Sequence, residues 1–327
     1  MVMDEEVRIG KDAVRKACAI ASQVAHGLSK DETMTKEDRS PVTIADFAAQ
    51  AVIIHEVKRA FPEDRVVGEE DAADLGQNEP LLRKVWELVK PAESMRDARQ
   101  MLDAIDAGGY AGGAKGRMWA LDPIDGTKGF LRGGQYAICL ALIVDSEVRL
   151  GLIGCPNLSV QADGSSELGV LFTAVKGSGS FQEPLSGACN ATPIHMRQVT
   201  ETTHASFCES VEAGHSAHGD QAEIAKELGI QKASVRMDSQ AKYCSIARGD
   251  SDIYLRLPVS LQYEEKIWDH ASGNLLVEEA GGRVTDMYGA PLDFGQGRTL
   301  RSNKGVVASL ASIHPQVLQA VKRVLRL

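Results

Sequence analysis

The sequence lacks the features that mark nucleic-acid-binding, membrane and secreted proteins. Basic residues are in deficit, 36 Lys and Arg against 45 Asp and Glu among 327 residues, and the net charge is −9. With no basic stripe, duplex nucleic acid is not an expected partner. An acidic chain that handles an anionic substrate must neutralise it locally, and bound cations do that well. No run approaches the ~20 apolar residues that cross a bilayer, so no membrane partner is expected either. The six cysteines (Cys18, Cys139, Cys155, Cys189, Cys208 and Cys244) form no CxxC pair and sit mostly among apolar neighbours. They read as reduced core residues in a reducing compartment. Residues 1–12 are charged and carry no apolar signal region, which predicts a cytoplasmic chain. No GxxxxGK[ST] occurs, which argues against a kinase or P-loop enzyme. Gly177-Ser178-Gly179 lacks the third glycine and the preceding context of a dinucleotide loop, and reads as a hairpin.

What is present is an ordinary globular composition, 43% apolar and 25% charged, with length enough for a sizeable core and about two domains. Helical spacing of apolar residues from Val7 to Leu28 predicts a first helix, and a second follows from Pro41 to Phe61, stopped by Pro62. The polar stretch 29–40 between them reads as a mobile connection. Tyr136–Val144, Val148–Gly154 and Leu168–Val175 are β-rich runs separated by turn signals and predict antiparallel strands. Beyond about Thr200 short strands and helices alternate. The expected division is an N-terminal α+β domain over 1–200 and a C-terminal α/β domain over 201–327.

The most informative stretch is Trp119-Ala120-Leu121-Asp122-Pro123-Ile124-Asp125-Gly126-Thr127. Its apolar lead-in predicts a buried strand ending at Asp122. Pro123 cannot continue a strand ladder, and Gly126 supplies conformational freedom after the turn. Asp122, Asp125 and a backbone carbonyl, that of Ile124, are thereby gathered at a strand end. Few carboxylates, oxygen donors only, and positions left for water and a substrate phosphate are what Mg²⁺ requires. A solvated Asp-Pro turn accounts for each dipeptide but not for the buried strand that delivers them.

Other acids are ambiguous on local evidence. Thr43 and Asp46 have capping-box spacing, so Asp46 reads as ordinary helix-terminus chemistry. Glu69 and Glu70 follow the apolar Val66-Val67-Gly68 and fit either a second acidic strand end or a solvated loop. Asp269, in Trp268-Asp269-His270-Ala271-Ser272-Gly273, falls in the first turn of a helix expected to reach Ala280, where an acid complements the dipole.

Taken together these segments resemble a known superfamily. The Trp119–Phe130 stretch is similar to the central signature of the inositol monophosphatase-like, lithium-sensitive, metal-dependent phosphatases. Trp268–Gly273 with Glu279-Ala280-Gly281-Gly282 resembles their second signature, while Gly68-Glu69-Glu70 and Thr43–Asp46 match their remaining acidic segments in order. Within that superfamily the C-terminal half is similar to the 3′(2′),5′-bisphosphate nucleotidases, through Gly214–His218, Asp238–Tyr243, Tyr254–Leu257 and Glu264–Asp269.

The resemblance implies a layered αβαβα sandwich of mixed α+β and α/β character, with the active site between its halves. It implies two or three Mg²⁺ ions: Glu69, Asp122 and the Ile124 carbonyl for one, Asp122, Asp125 and Asp269 for a second, and Asp46 with Glu69 for a third. Thr127, hydrogen-bonded to Asp46, is implied to orient and deprotonate the attacking water. Ser239, Lys242, Arg256 and His215 are implied to contact the nucleotide and its 5′-phosphate, with Thr127 and Asp269 also touching substrate. The implied reaction converts adenosine 3′,5′-bisphosphate, or its 5′-phosphosulfate form, by loss of the 3′-phosphate, with lithium inhibition, in a monomer. The alternative is an inositol polyphosphate 1-phosphatase or inositol monophosphatase. A non-catalytic binding module has no need of a water-activating Thr127.

Overall fold

The chain opens with two long helices, α1 (Asp4–Leu28) and α2 (Ser40–Ala60). The structure is a computed structural model and describes residues 3–28, 40–92, 95–161, 167–187, 189–211, 218–260 and 262–327. Helix α2 is apolar on more than one face because it is covered on more than one side. Ala45, Ala49 and Ile53 pack with α1 and the first sheet, whereas Phe47, Ala48 and Val52 pack with the helices that follow. The predicted connection 29–40 lies outside the described residues, apart from Ser40, which begins α2.

The first sheet runs in sequence order through β1 (Arg65–Gly68), β2 (Arg117–Asp125), β3 (Ala137–Val144), β4 (Glu147–Ser159), β5 (Leu168–Val175), β6 (Gly179–Pro184) and β7 (Thr192–Ile194). Strand β1 pairs parallel with β2, and the later pairs are antiparallel. A parallel pair needs a long crossover. Here it is made by α3 (Ala73–Gln77), α4 (Glu79–Val89) and α5 (Ala98–Asp106), which pack on α2. The short helix α6 (Thr127–Leu131) separates β2 from β3.

The second sheet comprises β8 (Phe207–Glu209), β9 (Val235–Arg236), β10 (Ile253–Arg256), β11 (Gly282–Thr285) and β12 (Val306–Leu310), in the order β11-β12-β10-β8-β9. With it come α7 (His218–Glu227), α8 (Ala241–Ala247), α9 (Ala271–Glu279) and α10 (His314–Leu325). Helices α8 and α9 pack against β4 on one side and against β10 and β11 on the other, while α7 packs with α10, which covers β12. The result is the expected αβαβα sandwich. Burial of α9 from Ala271 through Val277 is what a helix between two sheets must show. Its close approach to β4 depends on Gly151, where a Cβ would meet the Ser272 carbonyl oxygen at 2.8 Å.

Several local expectations are corrected. Strand β2 does not end at Asp122 but reaches Asp125, with the register against β3 shifting between those residues. A bulge accommodates Pro123, which has no N–H to donate to a regular ladder. Helix α2 begins at Ser40, so Asp46 lies in its interior and is not a capping residue. Asp269 precedes α9, which starts at Ala271, so the dipole reading of that residue fails as well. The cysteines are unpaired, five of them buried and Cys189 exposed. No helix among the described residues is long and apolar enough to cross a membrane.

Candidate active site

One cavity of about 260 Å³ opens where the ends of β1 and β2 meet the start of α8, β10 and the turn before α9. It is lined by Asp46, Glu69, Asp122, Ile124, Asp125, Thr127, Ser239, Lys242, Arg256 and Asp269, so ten residues singled out from sequence converge there. His215 lies outside the described residues.

The β2 bulge explains how one short segment supplies several oxygens. The Ile124 side chain sits in the core between helices and sheet, yet Ile124 also lines the cavity, so its backbone faces that space. Gly126, with φ +87°, then turns the chain into α6 and presents the exposed Thr127. A Cβ on Gly126 would also sit 2.9 Å from Cβ of Ser239, so this turn and the α8 entry fit each other closely. Asp46 and Thr127 line the same cavity, but no hydrogen bond joins them among the described residues.

The acids are crowded and under-neutralised. Burial, then Glu69, raises Asp122 well above the ordinary carboxylate range, and burial, then Glu70, does the same to Asp46. Burial and the charges of Glu70 and Asp125 bring Glu69 to about 7, and its carboxyl lies close enough to Asp122 to share a proton. Asp269 is raised by burial and by Asp125. Asp125 is raised by burial although Lys242 and the Gln240 amide, which donates to its Oδ2 at 2.5 Å, oppose the shift. Asp122 Oδ1 is buried with no hydrogen-bond partner among the described residues. Clustered carboxylates whose charged forms burial and mutual repulsion disfavour, with an orphaned oxygen among them, fit a site for divalent cations.

Among the described residues the one trio of donor atoms within 4.8 Å of each other is Glu265, Asp269 and His270. Glu265 is engaged by Arg256 at 2.7 Å and by His270 at 3.2 Å, and the other His270 nitrogen meets the Tyr243 hydroxyl at 2.8 Å. Of that trio only Asp269 lines the cavity.

Three cations, Lys128, Lys242 and Arg256, complete the lining. Lys242 is buried, its Nζ donating to the Ser239 carbonyl at 2.8 Å and lying 5.4 Å from the Tyr254 ring centroid. Burial lowers its pKa while Asp125 supports the charge. Arg256 stays charged despite burial because of Glu265.

Sequence reasoning missed Gln50, Gln240, Tyr254, Tyr263 and Glu265. Gln50 pairs its amide with the Glu70 backbone, accepting from N at 3.1 Å and donating to O at 2.6 Å, and so fixes the end of β1. A lone amide in the apolar run Ala48-Ala49-Gln50-Ala51-Val52-Ile53 was the available signal. The Gln240 side chain ties the Trp268 carbonyl to the Gly273 amide.

Comparison with known proteins decides the family. The model of the inositol monophosphatase family matches residues 3–326. The chain belongs to the inositol monophosphatase family. Within this family it is 52% identical to a 3′(2′),5′-bisphosphate nucleotidase of Emericella nidulans, over 100% of both chains. A Schizosaccharomyces pombe protein of the same name is 50% identical over 99% of this chain and 97% of its own. One from Oryza sativa is 42% identical over 95% and 92%. Among solved structures, an inositol monophosphatase from Zymomonas mobilis superposes with a TM-score of 0.63 at 20% identity, covering 98% of this chain and 99% of that one. The inositol monophosphatase of Anabaena gives 0.62 at 18%, covering 98% and 96%. The sandwich is thus the fold of this family, entered here by a chain whose nearer relatives in sequence carry the nucleotidase name.

Proposed function

We propose that this chain is a Mg²⁺-dependent phosphomonoesterase that hydrolyses the 3′-phosphate of adenosine 3′,5′-bisphosphate, and of its 5′-phosphosulfate form, and is inhibited by lithium. The observation that carries the reading is the composition of a single cavity, with under-neutralised carboxylates beside the buried Lys242 and the half-buried Arg256. The names of relatives at 42–52% identity support the substrate class.

Glu69, Asp122 and the Ile124 carbonyl hold one cation, Asp122, Asp125 and Asp269 a second, and Asp46 with Glu69 a third. When bound, these ions polarise the phosphoryl oxygens, acidify a water and neutralise the leaving oxygen. Thr127 orients the attacking water, and Asp46 is the carboxylate behind it that can take a proton. Ser239, Lys242, Arg256 and His215 bind the nucleotide, with the two cations directed at its 5′-phosphate. The reading includes a monomeric, cytoplasmic enzyme in which residues 1–200 carry most cation ligands and 201–327 carry Asp269 and the nucleotide contacts. The buried, unpaired cysteines support a reducing compartment.

The deciding experiment is phosphate release from adenosine 3′,5′-bisphosphate and from an inositol bisphosphate, side by side with Mg²⁺. The proposal expects a higher kcat/KM on the nucleotide. A preference for the inositol substrate would replace it with an inositol polyphosphate phosphatase, and no Mg²⁺-dependent release from either would end it.

A further inference from the structure

Arg298 lies 29 residues beyond Asp269 in a loop that no motif singled out, and it joins the two halves of the acid cluster. Its Nη2 donates to the Gly68 carbonyl at 2.5 Å, and its Nη1 to the Tyr110 and Gly108 carbonyls at 3.1 and 3.3 Å. Gly68 is the last residue of β1, directly before Glu69. Residues 108–110 flank the same strand, with Gly68 N donating to Gly108 O at 2.8 Å and Tyr110 N to Val66 O at 3.1 Å. The other side of the guanidinium lies over the Trp268 ring, 4.8 Å from its centroid, and Trp268 directly precedes Asp269. The backbone repeats the tie: Ile267 N donates to Arg298 O at 3.1 Å, and Leu300 N to Glu265 O at 2.8 Å.

Three carbonyls and an aromatic face are the geometry a planar fork satisfies and a point charge does not. No ion pair to Arg298 occurs among the described residues, so its charge is balanced by carbonyl dipoles, the indole and the neighbouring Glu69. The Trp268 Nε1 has no hydrogen-bond partner among the described residues, so the ring is held by core packing and by the guanidinium over its face.

We propose that Arg298 is a positioning residue of the cation site, holding the β1 end that carries Glu69 in register with the turn that carries Asp269. The inference rests on the reading that these carboxylates bind divalent cations. Glu69 and Asp269 are the members of the set that belong to different sheets' surroundings, 200 residues apart in sequence (269 − 69). Two neighbouring cations that share Asp122, one held also by Glu69 and the other by Asp269, require the spacing of these segments to be fixed within a few tenths of an ångström, and ligand-supporting groups of this kind set metal affinity.

The test titrates Mg²⁺ by calorimetry into chelator-stripped protein, comparing wild type with Arg298→Lys and Arg298→Met, and measures the melting temperature of each without metal. Arg298→Lys keeps the charge and loses the fork, whereas Arg298→Met keeps a stem over Trp268 and loses both. Mg²⁺ affinity is expected to fall about 10–100-fold in both folded variants, the range typical of supporting groups around a metal. A tie that serves only the fold would lower the melting temperature and leave the affinity of the folded protein unchanged, which would overturn the proposal. Full affinity in Arg298→Lys would overturn it too, because charge alone would then suffice. Should neither variant fold, amide exchange in wild type decides. Mg²⁺ must slow exchange at Ile267 and Leu300, and no change there would refute the coupling. If wild type itself fails to bind Mg²⁺, the cation reading falls and takes this inference with it. Tight wild-type binding with unaffected variants removes Arg298 alone.

Discussion

The carboxylate of Glu265 lies 2.7 Å from the guanidinium of Arg256. One of the three cations lining the cavity is therefore already paired with a carboxylate before a substrate arrives. Burial alone would raise Glu265, but His270 and Arg256 hold it down at about 2. Removing Arg256 by itself leaves the buried Glu265 carboxylate with His270 as its remaining partner, and losing one partner of a buried ion pair costs up to about 3–5 kcal/mol. The single variant Arg256→Ala should accordingly lose more stability than the double variant Arg256→Ala/Glu265→Gln. The double variant should lose about one to two decades in kcat/KM on adenosine 3′,5′-bisphosphate, matching ~1.5–3 kcal/mol for a charge-assisted contact. Adenosine 3′-monophosphate, which lacks the 5′-phosphate, should suffer less. Equal losses on the two substrates would make Arg256 a structural residue.

Asp122→Asn separates stability from activity. Asp122 is buried beside Glu69, Asp125 and Asp269, and each raises its pKa. Taking one charge out of this cluster should raise the melting temperature of the metal-free protein, while turnover falls by several orders of magnitude because a shared cation ligand is lost. Near-normal turnover at saturating Mg²⁺ would rule out Asp122 as a bridge between two ions.

The pH profile follows from the same crowding. Glu69 titrates at about 7, against an ordinary 4.5. A carboxyl with a raised folded-state pKa binds its proton more tightly in the folded protein, so its stabilising contribution is complete below pH 4.5 and is lost as pH rises through 7. Metal-free protein should melt at falling temperatures across that window, and saturating Mg²⁺ should flatten or reverse the trend because the cation replaces the protons. Glu265 works oppositely: its contribution is present above 4.5 and is lost as pH falls toward 2. Melting curves from acid to neutral pH, with and without Mg²⁺, check both limbs. A metal-free melting temperature that stays level between pH 4.5 and 7 would contradict the Glu69 environment.

Ser239 has φ +66°, in the left-handed region, at the entry to α8. This conformation costs a non-glycine residue roughly 1–2 kcal/mol. Both Ser239→Ala and Ser239→Gly remove the hydroxyl that accepts from the Ala241 amide at 3.2 Å, but only glycine relieves the strain. The glycine variant should be the more stable of the two by about 1 kcal/mol in denaturant unfolding. The reverse order would mean that the strain is not intrinsic to the backbone.

Lithium inhibition should be uncompetitive or noncompetitive toward substrate. Li⁺ is close to Mg²⁺ in size with half the charge, so it enters an oxygen-lined position but stabilises a leaving oxygen less well. On the proposed ligand sets, the vulnerable position would be that of Asp122, Asp125 and Asp269, from which product would depart. Steady-state series at constant ionic strength check this, and purely substrate-competitive inhibition would remove the assignment.

The most legible parts in sequence were those whose chemistry is local. The apolar strand leading to Asp122 announced itself because burial and turn residues follow one another within a dozen positions. The antiparallel strands after Tyr136 were equally plain, since their pairing is between neighbours in the chain. On local evidence Asp46 read as a cap after Thr43, and only the resemblance placed it among the ligands; with α2 running from Ser40, Thr43 is not a cap and Asp46 is a buried interior acid. Glu265, Gln240 and Arg298 left no signal of their own. The partners of Gln240 and Arg298 lie far away in sequence, and only the fold brings Arg298 to Gly68 or Gln240 to Asp125.

Placing α8 and α9 between the sheets also orders events during synthesis. The inner face of the first sheet can be made by residue 194, but the helix that covers it along β4 and β5 is not complete until Glu279. A growing chain therefore presents an apolar sheet surface for some 85 residues (279 − 194) before its own cover emerges. At roughly 5–20 residues per second that interval lasts several seconds, long enough for chaperones to engage and for neighbouring chains to stick.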